Sequence, residues 1–243
     1  MKLPELLADL RLMWSVENHE ELAAEAARKG WSHHQFLQRL MEGEWTRLHG
    51  NRVARRIQQA RFPVLKTLDQ FDWNWPKKIN RPQVQDLFRL GFLKDKGNVL
   101  LVSGVGLGKT HLATALGYAA CQQDHSVLFT TAVDIVNTLA AAQATDRLKL
   151  QLKRYTRPEI LIIDELGYLP IDKLGANLLF QVFSLRYERG STLVTTNKPF
   201  KHWPDIFNGD VTLTAAVLDR VLHHAETVVI DGPSYRMREK QTD

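Results

Sequence analysis

The chain has 243 residues, a formal charge of +5 and one cysteine. That length accommodates one large domain and a small appendage around a well-buried core, and the lone Cys121 excludes an internal disulfide. No apolar run approaches the roughly 18 residues of a membrane span, the first ten residues lack a signal-peptide core, and the expected home is the reducing cytoplasm; the basic balance hints at a polyanionic partner.

The amino-terminal part reads as helices. One is predicted over His19–Lys29 and closed by Gly30. The next opens on Ser32 and Gln35, a capping-box pattern, with Trp31 and Phe36 placed as a hydrophobic staple. Phe36, Leu37, Leu40, Met41, Trp45 and Leu48 then recur at helical spacing. From Trp45 to Leu68 there is no acid, while Arg47, Arg52, Arg55, Arg56, Arg61 and Lys66 are present. Arg52, Arg55 and Arg56 fall on one helix face. One-signed charge on one face suits DNA phosphates, and it equally suits an ordinary solvated helix; the residues alone favour neither. The chain changes character near residue 66, so a helical domain over 1–66 and a larger domain over 67–243 are expected. Between them and the first strand, Phe71, Trp73, Trp75, Pro76 and Pro82 are too aromatic for a free linker, and the segment is expected to pack on the larger domain.

From residue 98 onward, short apolar strands alternate with helical stretches. The predicted strands are Asn98–Val102, Val127–Thr131, Ile160–Asp164, Thr192–Thr196 and Thr227–Ile230. Strands separated by helices imply an α/β fold, a parallel sheet covered on both faces. The first strand runs into Ser103, Gly104, Val105, Gly106, Leu107, Gly108, Lys109 and Thr110, and a helix-compatible stretch follows. Strand, glycine loop and helix in that order make a phosphate-loop pattern credible. Glycines let backbone N–H groups turn inward around phosphate oxygens, and the helix N-terminus adds partial positive charge. Lys109 can reach the β- and γ-phosphates of ATP, and Thr110 can offer its hydroxyl to Mg²⁺. The usual motif opens with glycine; Ser103 stands there, which leaves the entry geometry of the loop open.

Cys121 falls in the alanine-rich helix and reads as a small core residue. Arg147, Lys149, Lys153, Arg154 and Arg157 form a second basic cluster before the third strand, with Leu148 and Leu152 marking a buried face. Ile160–Ile163 then lead into Asp164 and Glu165. A buried strand with two acids at its C-terminal tip suits Mg²⁺ held by Asp164 and a water activated by Glu165; an acid pair capping a helix is the bland alternative. Asn197 ends the next strand, where it can contact the γ-phosphate or the attacking water, although such an asparagine more often starts a turn. The pairs His33–His34 and His223–His224 lack a cysteine or acid to complete a metal site, and Mg²⁺ with ATP is the only metal expected.

The chain resembles the IstB-like ATPases, AAA+ helper proteins of bacterial insertion sequences related to the DnaC helicase loaders. The resemblance runs from about Ser32 to Glu239. It rests on Gly108-Lys-Thr-His-Leu-Ala113, Ile162-Ile-Asp-Glu-Leu-Gly-Tyr-Leu-Pro170, Arg186-Tyr-Glu-Arg-Gly-Ser191, Thr195-Thr-Asn-Lys-Pro-Phe200, Leu218-Asp-Arg-Val-Leu-His-His224 and Ser234-Tyr-Arg236, with Ala60-Arg-Phe-Pro63 and Lys66-Thr-Leu-Asp-Gln-Phe-Asp72 ahead of them. It implies an AAA+ P-loop core of five parallel strands ordered 5-1-4-3-2, preceded by a small helical DNA-binding domain. Asn197 would be the first sensor, Arg220 an arginine finger acting on a neighbouring subunit, and Arg236 the second sensor. It also implies an ATP-dependent homo-oligomer on double-stranded DNA that regulates a transposase encoded alongside, tilts the arginines of residues 47–61 toward DNA, and leaves the second cluster as a further place on the DNA path. A DnaC-like replicative helicase loader is the near alternative. A small-molecule kinase would need a phosphoryl acceptor site and a lid, and the Asp164–Glu165 pair with a candidate arginine finger argues against it; the intact Lys109, Thr110, Asp164 and Glu165 weigh against a passive DNA binder.

Overall fold

A computed structural model describes residues 2–237; the last part of the resemblance, up to Glu239, lies outside them. The chain divides into two compact units, Met1–Arg55 and Arg56–Asp243. The first begins with α1 (Leu3–Asp9) and α2 (Met13–Lys29), and the boundary falls within α3 (His33–Ala60).

The capping box at the start of α3 forms as expected. The Gln35 N–H donates to Ser32 Oγ at 3.2 Å and the Ser32 N–H to Gln35 Oε1 at 2.8 Å. α2 ends at Gly30, whose φ of 65° is the left-handed conformation that glycine adopts freely. It begins earlier than the predicted His19, because its cap comes from another helix. Leu12 offers no side-chain cap, and Glu44 of α3 instead accepts from the Ser15 N–H at 2.9 Å and the Ser15 hydroxyl at 3.3 Å. Arg47 donates to the other oxygen of Glu44 at 2.8 Å. The buried face of α3 therefore carries Leu40 and Glu44, while Leu37, Met41, Trp45 and Leu48 are exposed. The helical spacing is right, but spacing cannot say which side of the helix is covered.

Burial alone would raise the Glu44 carboxyl; the Ser15 N–H and the Arg47 guanidinium outweigh it and hold the group below the ordinary 4.5. The unfolded chain thus binds this proton more readily than the folded one. The stabilisation is complete above the unfolded value and is lost as pH falls through the lower folded one. Glu44→Gln is expected to cost about 1–3 kcal/mol at neutral pH, since hydrogen bonds to a buried charge are lost. Thermal melts followed by helical circular dichroism should show a lower midpoint for the variant at pH 7 and convergence with the parent chain in acid.

The second unit holds all five predicted strands: β1 (Asn98–Ser103), β2 (Val127–Thr131), β3 (Ile160–Leu166), β4 (Ser191–Thr196) and β5 (Ala225–Ile230). Every pairing is parallel, in the order β2-β3-β4-β1-β5. From the other edge this reads 5-1-4-3-2. The strands alternate with helices, as parallel crossovers require. After α4 (Arg81–Leu87) these are α5 (Lys109–Gln122), α6 (Ala132–Gln143), α7 (Leu148–Thr156), α8 (Lys173–Arg186) and α9 (Val211–Leu222).

Successive strand residues feed two apolar layers. Leu100, Leu161 and Ile163 join Ile135, Leu139, Leu179 and Val217 in one. Leu101, Ile160 and Ile162 join Leu112 and Leu116 in the other. The segment before β1 belongs to this second layer: Phe71, Val84, Leu87 and Leu90 are buried in it. It is tied to the chain beyond β5 by paired backbone hydrogen bonds between Lys78 and Asp231 and by the Trp75 indole donating to Pro233 O at 2.9 Å. At the end of the sheet where β3 and β4 begin, the buried Arg186 guanidinium donates to the carbonyls of Tyr155, Pro158, Glu159 and Ser191. Burial lowers its pKa to about 10. No helix among the described residues is long and apolar enough to cross a membrane.

Candidate nucleotide site

The loop after β1 bends through Gly104–Gly108 into α5. Gly106 and Gly108 take φ of 75° and 84°, a region that strains any L side chain. A Cβ at Gly106 would also strike the Ser234 hydroxyl, and one at Gly108 would strike the Phe71 ring. No side chain caps the N-terminus of α5, so its first turn is available to an anion.

Lys109 opens that helix. Its ammonium donates to Ser103 O at 3.0 Å, Ser103 Oγ at 3.1 Å and Gly104 O at 2.7 Å. Three acceptors match three protons. The serine that replaces the usual glycine therefore leaves the loop intact and adds a third acceptor for the lysine. Desolvation holds the Lys109 ammonium below the ordinary lysine range; Asp164 and Glu165 oppose the shift and Arg236 adds to it. A bound polyphosphate would relieve that penalty with its own negative charge.

Opposite the loop, β3 delivers Asp164, 4% exposed. Its carboxylate accepts from the Thr110 hydroxyl at 3.1 and 3.0 Å and from the Thr195 hydroxyl of β4. Glu165 is the next residue and is exposed. Asn197 follows β4, and its Oδ1 is buried without a hydrogen-bond partner. A buried amide oxygen left unpaired is costly unless something polar fills the space before it.

These groups surround a cavity of about 640 Å³. Val105, Gly106, Leu107, Gly108, Lys109 and Thr110 form one wall, with Glu165, Asn197 and Arg236 on the others. Asp164 lies behind Thr110, and Ser103 and Gly104 lie behind Lys109. Nothing in the local pattern singles out the far end, where Phe71, Trp75, Tyr168 and Tyr235 join the lining. His111 links the two ends. Its Nε2 lies 2.8 Å from Thr67 O, and its ring meets Phe71 edge-on at 5.5 Å. Burial lowers its pKa, with Lys66 reinforcing the shift and the Thr67 carbonyl opposing it. The residues fit ATP with Mg²⁺. The glycine cradle and the lysine suit a polyphosphate, the unpaired Asn197 amide oxygen suits a water beside it, and Thr110 and Asp164 supply the hard oxygen donors that Mg²⁺ takes.

Other candidate residues lie elsewhere. Arg220, on α9, does not line the cavity; its guanidinium donates to Ala216 O at 2.8 Å and lies 5.0 Å from the centre of the Phe180 ring. Of the amino-terminal arginines, Arg47 pairs with Glu44 at 2.8 Å and Arg56 with Asp124 at 3.3 Å. Glu44, three residues before Arg47 on the same helix, and Asp124, from beyond α5, thus each take one of these arginines. Arg52, Arg55 and Arg61 are exposed. On α7, Leu148 and Leu152 pack on the core while Arg147, Lys149, Lys153 and Arg157 are exposed. The His223 and His224 rings lie 4.0 Å apart at a 52° tilt, and no cluster of three or more metal-binding side chains occurs among the described residues.

Comparison with known proteins agrees with this geometry. The family model described as IstB-like ATP binding protein matches residues 5–243. The insertion sequence IS21 putative ATP-binding protein of Pseudomonas aeruginosa is 40% identical over 236 residues, 97% of this chain and 89% of that protein. The insertion sequence IS232 putative ATP-binding protein of Bacillus thuringiensis subsp. berliner is 43% identical over 189 residues, 78% and 75% of the two chains. Among solved structures, the crystal structure of the DnaC helicase loader is similar in fold, with a TM-score of 0.55, 19% identity, and coverage of 68% of this chain and 96% of that one.

Proposed function

This chain belongs to the family of IstB-like ATP-binding proteins, and on that premise we propose that it is an ATPase that assembles on double-stranded DNA and presents that DNA to the transposase of an insertion sequence. The observation that carries the ATPase reading is the meeting of the β3 acids with the glycine loop: the Thr110 hydroxyl is already bonded to Asp164, and Glu165 stands beside them at the cavity wall.

The chemistry follows from what each side chain can do. The loop N–H groups and Lys109 hold the β- and γ-phosphates of ATP. Thr110 and Asp164 would hold Mg²⁺, which would supply positive charge to offset that of the phosphates. Glu165 accepts a proton from the attacking water and orients it. Asn197 Oδ1 accepts from the same water, or the amide turns its NH₂ toward the γ-phosphate. Arg236 reaches the phosphates from the opposite wall. Arg220, outside this cavity, completes the site of a neighbouring subunit, so that hydrolysis is coupled to a homo-oligomer. The protein works in the cytoplasm, where both ATP and the target DNA are found. A helicase loader would use the same ATP chemistry; the insertion-sequence relatives span nearly the whole chain and favour the transposition role.

The DNA contact is assigned to the helical segment of residues 1–66, through Arg52, Arg55 and Arg61, with Arg47 and Arg56 held in ion pairs at its margin. Such contacts meet phosphates rather than base edges, so binding should be salt-steep and nearly independent of sequence. Replacing Arg52, Arg55 and Arg61 together by glutamine should weaken binding. It should also flatten the plot of log affinity against log salt by about two to three units, at about 0.9 per phosphate contact. Fluorescence anisotropy on a random duplex across a salt series measures both. An unchanged slope would move the contact to the exposed α7 cluster.

A further inference from the structure

We propose that Thr195 is a positioning residue for hydrolysis, whose hydroxyl holds Asp164 and Glu165 in their working arrangement; the inference rests on the ATPase reading above. The β3–β4 ladder is regular up to Ile163 opposite Val194 and resumes with Leu166 opposite Thr196. Between these pairs, Asp164 and Glu165 stand against the single residue Thr195. This is a β-bulge, a device that re-aims side chains at the rim of a sheet. The bulge puts Glu165 at φ 60°, left-handed backbone that is uncommon for a non-glycine residue and costs energy unless its surroundings support it.

Thr195 supplies that support. It is 1% exposed. Its hydroxyl accepts the Glu165 N–H at 3.0 Å, replacing the ladder bond that the bulge disrupts. The same hydroxyl donates its one proton to Asp164 Oδ1. A single oxygen thus binds the backbone of one acid and the carboxylate of the other. The acceptor and donor roles are both filled, so the geometry of the pair is set from β4 rather than from β3 alone. Asp164 is aimed at Thr110 by this bond, and Glu165 is turned outward into the cavity by the left-handed backbone. Asn197, two residues further on, is placed by the same strand end. β4 therefore sets the acid pair through Thr195 and faces the reacting phosphate through Asn197.

Valine matches threonine in shape but removes the hydroxyl. In Thr195→Val the Glu165 N–H loses its partner and the bulge loses its tie, while the phosphate loop is untouched. ATP should still bind, within about threefold of the parent chain, and kcat should fall at least tenfold. Thr195→Ser restores the hydroxyl and should recover kcat to within about threefold. The measurements are the Kd of a fluorescent ATP analogue and steady-state phosphate release with DNA present, for the full chain and both variants. A fall in kcat at unchanged Kd, rescued by serine, supports the proposal. Parent-like kcat in Thr195→Val overturns it. So does a serine variant as slow as the valine one, or a valine variant that loses nucleotide binding as well, since the hydroxyl would then be a fold element only. A parent chain that binds ATP and never hydrolyses it would sink the ATPase reading and this inference with it. Hydrolysis that Thr195→Val retains in full sinks this inference alone.

Discussion

Glu165→Gln is expected to bind ATP as the parent chain does and to release phosphate about a hundredfold to ten-thousandfold more slowly. The amide keeps the size of the carboxylate and its place at the β3 bulge, so the cavity and the glycine loop are unchanged. It cannot take a proton from water at neutral pH. The nucleotide contacts assigned to Lys109, Thr110 and Asp164 are untouched, so the loss falls on kcat and not on Kd. Lys109→Ala is the contrasting variant. It removes the point charge that meets the β- and γ-phosphates, and it also leaves Ser103 O, Ser103 Oγ and Gly104 O without their shared donor. Binding itself should fail. Equilibrium binding of a fluorescent analogue, paired with phosphate release, separates the two. Turnover at the parent rate in Glu165→Gln would remove Glu165 from the role given it.

Arg220→Ala should bind ATP normally as a monomer and lose hydrolysis by about a thousandfold or more, in line with the range for arginine fingers. Arg220 lies outside the cavity of its own subunit, held by Ala216 O and the Phe180 ring. That position is the reason for assigning it to a phosphate across a subunit contact. Its charge would matter most when negative charge concentrates on the departing phosphoryl group, so hydrolysis suffers more than binding. Assembly on DNA should weaken as well, because the residue would be part of the contact between subunits. Mixing gives the decisive measurement. Arg220→Ala supplies an intact ATP site and Lys109→Ala an intact arginine, and each alone is nearly inactive. Recovered ATPase in the mixture supports action between subunits. If mixed oligomers form, as shown by pull-down of one tagged variant with the other, and activity stays absent, Arg220 acts within its own chain or only stabilises α9.

Much of the second unit could be read from residue order because its signals are local. Five short apolar runs separated by helical stretches require a parallel sheet, and the observed strands extend the predicted ones by a few residues at most. The glycine loop is equally legible: Gly106 and Gly108 stand where φ must be positive, and Lys109 and Thr110 follow at the mouth of α5. Asp164 and Glu165 were readable as acids at a strand tip. The roles expected of them, Mg²⁺ for Asp164 and the water for Glu165, are legible from the same position; the contacts that hold the pair are not, because they depend on a bulge that only the partner strand reveals.

By itself, the sequence determined the class of fold, the order of its elements, the phosphate loop and the acid pair. These depend on periodicity and on backbone demands of adjacent residues. Tertiary structure decided which partner each polar group meets. Glu44 caps α2 from 29 positions away, Thr195 ties the acids from 31 positions away, and Asp124 takes Arg56 out of an apparently acid-free face. It also covered the glycine loop with Phe71 and left Leu37, Met41, Trp45 and Leu48 of α3 in the open. The physical reason is the same throughout. A helix or strand is specified by neighbours within a few residues. A buried charge or hydroxyl is satisfied by whatever the folded chain brings within about 3 Å, and residue order alone does not disclose that.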